Sequence, residues 1–446
     1  MDLLVTNGIV LTMNKNMEII ENGAVLVHNN KIAGLGKKED FFGHNANQVI
    51  DARGGIIMPG LINTHTHAAM TLFRGLADDM PLMTWLNEHI FPAESRLTQS
   101  QVYTGAMLAC AEMILSGTTC FCDMYLFEDE VARAASDSGM RAVTGEVLYD
   151  FPSPSYGELK KGFEYVEKMI EKWKDHPLVT IAVEPHSTYI CAPDLLKKAS
   201  TLAEKHSIPL VIHVAETKNE KQIIMEKYKK SPVAFLKSLG VLGPNLVACH
   251  SVHLSEADIG LLKTNNVKVA HCPESNMKLA SGVAPVPEMI RQGICVGIGT
   301  DGCASNNDLD LFLEMGTAAK LHKVFSRNPE VISAETAVKM ATINGAAVLG
   351  LEKITGSLES GKNADIIVVD TSSPHMVPMY NPLSHLVYSA TGNDVATVII
   401  NGKIIMHQRQ ILTMDLQKVI AAVNAVAREI QIRDSDQGFK IKDKAY

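Results

Sequence analysis

The sequence has no run of clustered lysine or arginine, no basic leader and no apolar stretch long enough to cross a bilayer. Each absence excludes something. With a net charge of −8, a pI near 6.1 and no basic patch, there is no electrostatic footprint for nucleic acid or anionic lipid. The N-terminus, Met1-Asp2-Leu3-Leu4, lacks the charged segment of an export signal, and polar residues interrupt the most apolar stretches, as Glu112 does before Cys120. No Cys-x-x-Cys pair occurs among the 8 cysteines, which lie mostly in apolar, strand-like runs and read as reduced, buried small hydrophobes. No longer repeat, low-complexity tract or obvious linker is present. These features together predict a cytoplasmic protein with a small-molecule partner, no nucleic acid and no membrane.

What is present is apolar content of 46% against 20% charged residues, the balance of a chain with a large core. The 446 residues accommodate a β/α barrel of roughly 250 residues and a smaller satellite. From residue 56 onward, apolar β-rich runs recur at the spacing of β/α units, each followed by a helical pattern: 56–63, 118–124, 141–148, 179–184, 210–214, 246–249, 267–270 and 295–299. Their ends carry His65 and His67, Asp123, Glu146, His186, His213 and Glu216, His250, His271, and Asp301. Barrel chemistry is done at the C-terminal strand edge. An open doubly wound sheet concentrates its chemistry at a switch point, and would not converge the first, fifth and eighth runs. The expected architecture is therefore an α/β protein built on a (β/α)8 TIM-type barrel.

The flanks read as β structure. Runs at 3–13 and 18–35 turn at Asn29-Asn30 before Lys31-Ile32; runs at 364–369 and 395–406 include a turn at Asn401-Gly402 before Lys403-Ile404. The matched hairpins predict one small β-sandwich domain made from both chain ends, 1–57 and 356–446, with the barrel, 58–355, inserted between them. Long helices are expected at 99–116 and 415–433.

In His65-x-His67 the period of two points both imidazoles to one side of a strand, as two ligands of one metal require. His213 and Asp301 each add a candidate ligand from the same barrel edge. Three imidazoles and a carboxylate suit Zn²⁺, and also Fe²⁺ or Mn²⁺, with room for a water. Glu216, three residues beyond His213, can reach such a water without being a ligand and move its proton. His250 can hydrogen-bond the same water or the developing oxyanion.

The segments Pro59-Gly60-Leu61-Ile62-Asn63-Thr64-His65-Thr66-His67, His213-Val214-Ala215-Glu216 and Thr300-Asp301-Gly302 resemble the amidohydrolase superfamily. Within it, the stretch Thr300-Asp301-Gly302-Cys303-Ala304-Ser305-Asn306-Asn307, the segment Pro185-His186-Ser187-Thr188-Tyr189, and Trp85 followed by Glu94 are similar to the 5-methylthioadenosine/S-adenosylhomocysteine deaminases. Two-metal members bridge their ions with a modified lysine at the fourth strand end, where this chain has Glu184-Pro185-His186; the resemblance thus implies one divalent metal, zinc first among candidates, on His65, His67, His213 and Asp301. It further implies that Glu216 shuttles a proton from water to the purine ring nitrogen, that Asp301 helps deprotonate the water and protonates the departing amine, and that His250 orients the hydroxide. The substrate would be a purine nucleoside, with Glu94 accepting hydrogen bonds from the ribose hydroxyls, His186 as a further nucleoside contact, Trp85 as an apolar wall near the 5′ substituent and Ser305 assisting at the ribose. A homodimer or homotetramer is in keeping with the superfamily.

Family members that accept the homocysteine tail hold its carboxylate with arginines on the third-strand loop. Here that region, 144–156, has none; Glu146 and Asp150 would repel a carboxylate, and Lys160 and Lys161 are the cations expected to reach in if any does. The expectation is that methylthioadenosine, 5′-deoxyadenosine or adenosine serves at least as well as S-adenosylhomocysteine. Competing expectations are a guanine- or pterin-type deaminase, a triazine hydrolase, or a barrel that has lost catalysis and serves as a scaffold.

Overall fold

Asparagine tolerates left-handed backbone, and both expected hairpins use it: Asn29 has φ 55° and Asn401 φ 51°, the latter followed by Gly402 at 75°. The computed structural model, which describes residues 2–80 and 82–436, joins these hairpins into one nine-stranded sheet. Ile366–Val369 pairs antiparallel with Ile56–Pro59, so strands from the two chain ends lie side by side. Asp2–Leu11, Ile19–His28 and Lys31–Lys37 continue the sheet on one side, and Val395–Ile400 and Lys403–His407 on the other. Alternation along the strands divides the apolar side chains. Ile57, Ile366 and Val368 join Leu3, Val5 and Val25 in a cluster of their own, while Ile56, Met58, Ile367 and Val369 face the main core.

The eight barrel strands are parallel. Leu61–His67, Thr118–Tyr125 and Arg141–Leu148 pair in order. The fourth strand is broken into Val179–Ile181 and Glu184–Pro185. Leu210–Val214, Leu246–His250, Lys268–His271 and Val296–Ile298 follow. Bridges Val183↔Leu210 and Ser187↔His213 join the fourth strand to the fifth, and Asp301–Gly302 pairs with the first strand to close the ring. The long helices run Gln99–Leu115, started by a Thr98 capping box, and Leu416–Asp436.

One expectation fails at the first strand. The apolar run 56–63 is two strands: Ile56–Pro59 lies in the nine-stranded sheet, and the barrel begins at Leu61. Composition cannot distinguish them because both are buried. The break is steric, since a Cβ at Gly60 would stand 2.1 Å from the Thr119 side chain, so only glycine lets the chain pass from one sheet to the other. At the same junction Arg141 donates to Asp365 through Nε at 2.8 Å and Nη2 at 3.1 Å, both residues being buried. No described helix is long and apolar enough to cross a membrane.

Candidate active site

On Leu61–His67 the period of two sends His65 and His67 to the same side, and the neighbouring strand ends complete a cluster. His65 Nε2 is 3.1 Å from His213 Nε2 and 3.6 Å from Asp301 Oδ1; His67 Nε2 is 3.0 Å from the same Asp301 oxygen. Donor atoms of His65, His67 and His213 lie within 4.8 Å of one another, and so do those of His65, His250 and Asp301. His250 thus enters the cluster too.

The protons on these rings follow from their outer partners. His213 Nδ1 donates to the His186 carbonyl at 2.7 Å and His67 Nδ1 to the Met124 carbonyl at 2.5 Å, which leaves each Nε2 as a lone pair turned inward. An imidazole lone pair facing a carboxylate oxygen at 3.0 Å is repulsive unless a cation lies between them. Although burial opposes it, Asp301 raises His67 to about 9. Asp301 is held well below the usual carboxylate range by His67 and the other imidazoles, against the effect of burial. Burial keeps His65 and His213 neutral. Converging nitrogens from three imidazoles and one carboxylate, with the outer nitrogens of His67 and His213 tied to backbone and that of His65 set 3.4 Å from Cys249 Sγ, fit a divalent ion of the zinc type.

Local backbone aims the remaining groups. Ala215, His250 and Asp301 have φ of 52°, 65° and 63°, left-handed values at three strand ends. Asn63 holds the eighth strand's end by accepting from the Thr300 backbone N–H at 3.0 Å and donating to its hydroxyl at 2.8 Å. Glu220 accepts from the Glu216 backbone N–H at 2.9 Å and from the Thr188 hydroxyl at 2.5 Å, securing the turn that presents Glu216. Burial raises Glu216 above the ordinary carboxylate value, His250 opposing.

A single cleft opens over the cluster. Trp85, Glu94, His186, Glu216, His250 and Ser305 all line it, together with His67, His213 and Asp301; His65 lies beneath, fully buried. Trp85 is fixed by its Nε1–H, which donates to the Ala77 carbonyl at 3.1 Å. Burial pushes Glu94 up to about 7 and His186 down to about 3, so His186 is neutral, and its Nδ1 has no hydrogen-bond partner. Ser305 donates to Asp301 Oδ2 at 2.9 Å.

Lys160 and Lys161 are not brought to the cleft. They sit exposed at the start of the helix Leu159–Trp173, where Lys160 borders a different surface groove. The third-strand loop instead contributes aromatic surface: Tyr149 lines the cleft and stacks on Phe151 at 4.0 Å between centroids, and Phe91 stands 6.2 Å from Phe151. Sequence reasoning missed Tyr125, Tyr149 and Tyr189 as lining residues. Tyr125 ends the second strand, so the strand-end criterion used for the histidines would have found it. Leu82, Leu86 and Phe91 carried no such signal.

The amidohydrolase family pattern matches residues 56–405. A protein of Syntrophobacter fumaroxidans named 5-methylthioadenosine/S-adenosylhomocysteine deaminase is 53% identical over 96% of this chain and 98% of its own. A protein of Methanosarcina acetivorans named 5′-deoxyadenosine deaminase is 46% identical over 97% of this chain and 99% of its own. The solved structure of an adenosine deaminase from Xanthomonas campestris, with bound zinc, superposes with a TM-score of 0.93 at 38% identity, covering 97% of this chain and 98% of the other. The chain belongs to the amidohydrolase family, in the branch of the 5-methylthioadenosine/S-adenosylhomocysteine deaminases.

Proposed function

We propose that the cleft hydrolyses the exocyclic amine of 5′-substituted adenosines, among them 5-methylthioadenosine, S-adenosylhomocysteine and 5′-deoxyadenosine, to give the inosine analogue and ammonia. The names of full-length relatives support the reaction. The observation that carries it is that one cleft holds both the proton-handling groups Glu216, His250 and Asp301 and the candidate nucleoside contacts Trp85, Glu94, His186 and Ser305.

The ion is one divalent metal on His65, His67, His213 and Asp301, zinc in this reading with Fe²⁺ and Mn²⁺ as alternatives, and it supplies Lewis-acid activation of water. Glu216, its pKa raised by burial, takes a proton from the attacking water and passes it to the purine ring nitrogen, which makes C6 electrophilic. His250 orients the attacking oxygen. Asp301 shares in deprotonating the water and returns a proton to the departing amine. Glu94 accepts hydrogen bonds from the ribose hydroxyls, His186 and Ser305 give further polar contacts, and Trp85 walls the 5′ end.

The same reading takes a composite β-sandwich domain from both chain ends around the barrel, expected as 1–57 and 356–446 around 58–355 and here joined at Gly60 rather than at 57; the separate apolar cluster of the nine-stranded sheet supports it. Eight unpaired cysteines, seven of them buried, support a reducing compartment, the cytoplasm. Exposed Val324, Phe325 and Tyr380 support a homo-oligomer, a dimer or tetramer.

The test is ammonia release and the purine absorbance change from zinc-loaded protein given methylthioadenosine, S-adenosylhomocysteine, 5′-deoxyadenosine, adenosine, guanine and a chlorotriazine. Turnover of adenosine-type nucleosides is expected. Reaction with guanine or the triazine alone would replace the ring assignment, and stoichiometric metal with no turnover of any compound would remove it.

A further inference from the structure

Helix Pro273–Lys278 follows the seventh strand, Lys268–His271, which lies between the sixth and eighth strands in the sheet. Its neighbours therefore end in His250 on one side and lead to Asp301 on the other. Consecutive helical residues project about 100° apart, so two adjacent side chains can address both neighbours at once. Ser275 and Asn276 do so. The Ser275 hydroxyl donates to Asp301 Oδ2 at 2.6 Å, and Asn276 Oδ1 lies 3.0 Å from His250 Nδ1. Both are buried and neither lines the cleft.

We infer that this short helix is the positioning element for two of the three proton-handling groups, with Asn276 setting the orientation and tautomer of His250 and Ser275 setting the rotation of the Asp301 carboxylate. The inference rests on the proposed deamination for what those two groups do. A carbonyl oxygen only accepts, so the His250 proton resides on Nδ1, and Nε2 is the lone pair left for the reacting oxygen. With Oδ2 of Asp301 occupied by Ser275 and Ser305, Oδ1 is the oxygen turned to His67 and His65.

A second observation separates this role from packing. Asn276 Nδ2 is buried with no hydrogen-bond partner. An orphaned amide donor in the interior is unfavourable, and an apolar side chain of similar shape would remove it. Retaining asparagine there is explained by its other end, the acceptor on His250. His250 and Asp301 also carry left-handed backbone, so their side chains need fixing from outside their own strands.

The test uses full-length, zinc-loaded protein. Asn276→Leu is expected to keep its metal content and a KM within about twofold of the parent while kcat falls roughly 10–100-fold, the range seen for outer-layer partners of metal sites. Asn276→Asp, which keeps the acceptor, is expected to recover most of that loss. An Asn276→Leu enzyme with parental kcat, or an Asp variant no better than Leu, overturns the role of Asn276. If Asn276→Leu does not fold, Asn276→Ala takes its place against Asn276→Asp, and equal kcat in those two overturns it. Ser275 is tested without turnover: in chelator competition Ser275→Ala is expected to bind zinc about tenfold more weakly, with Ser305 keeping the second bond. Unchanged affinity overturns that half. If the parent itself releases no ammonia from any adenosine, the reaction assignment fails, while the zinc affinity still decides whether the helix positions the site.

Discussion

At the scale of single residues, the informative contacts pair groups that repel unless charge is shared. His67 and Asp301 meet at 3.0 Å, and the outer nitrogens of His67 and His213 are tied to backbone, so the inward lone pairs have one use. Glu216 is different, because it reaches the cleft without joining that cluster. Glu216→Gln is expected to bind metal stoichiometrically and to lose about 10²–10⁴ in kcat; metal analysis alongside ammonia release checks it, and parental turnover in a metal-replete variant would contradict the proton transfer. Glu94 makes a pH prediction. Its carboxyl, raised by burial to about 7, is charged only above that pH, and the charged form is the better acceptor for two ribose hydroxyls. As pH falls from 8 to 6 the ionised fraction drops to about a tenth, so KM is expected to rise by up to about tenfold, and Glu94→Gln is expected to have a high KM that no longer varies with Glu94 ionisation. A KM in the parent that is flat across this range argues against the ribose role. His65, His67, His213 and Asp301 were legible in sequence because each ends or closes a β run. Ser275 and Asn276 were not, since a hydroxyl and an amide on a short helix have no spacing that marks them.

Among the elements, two irregular segments shape the mouth of the cleft. The stretch from Leu82 to Glu94 brings Trp85, Leu86, Phe91 and Glu94 to one wall. The third-strand loop brings Tyr149, stacked on Phe151, and among the described residues none lining the cleft is a lysine or arginine. An apolar 5′ group gains by covering aromatic surface, whereas a zwitterionic tail there leaves its carboxylate without a cation. Methylthioadenosine, 5′-deoxyadenosine or adenosine is therefore expected to match or exceed S-adenosylhomocysteine in kcat/KM, measured side by side. A clear preference for S-adenosylhomocysteine would show that a cation reaches the tail. The sequence showed the missing arginines at once, but not that Lys160 and Lys161 face away, because the direction of an exposed side chain depends on how its helix lies on the barrel.

For the whole molecule, the joint between barrel and nine-stranded sheet is polar at one point: Arg141 begins the third barrel strand, and Asp365 stands just before a sheet strand. Asp365 also accepts from the Asn401 backbone N–H at 2.7 Å, so one carboxylate ties the barrel to the C-terminal hairpin. Asp365→Ala strands a buried guanidinium and is expected to cost about 3–5 kcal/mol, read as a lower Tm or denaturation midpoint; a loss below 1 kcal/mol would mean that water reaches Arg141. What the sequence determined by itself was periodic: the β runs, the two asparagine turns, the approximate extents of the long helices, and the strand-end address of each candidate metal ligand, all of which depend on neighbours a few positions apart. The tertiary structure alone decided the rest. It split the run 56–63 between two sheets at Gly60, set Ser275 and Asn276 behind His250 and Asp301, and turned Tyr149 rather than a lysine toward the cleft. Each of these depends on contacts between residues far apart in the chain, and local spacing holds no record of which distant surface a side chain will meet.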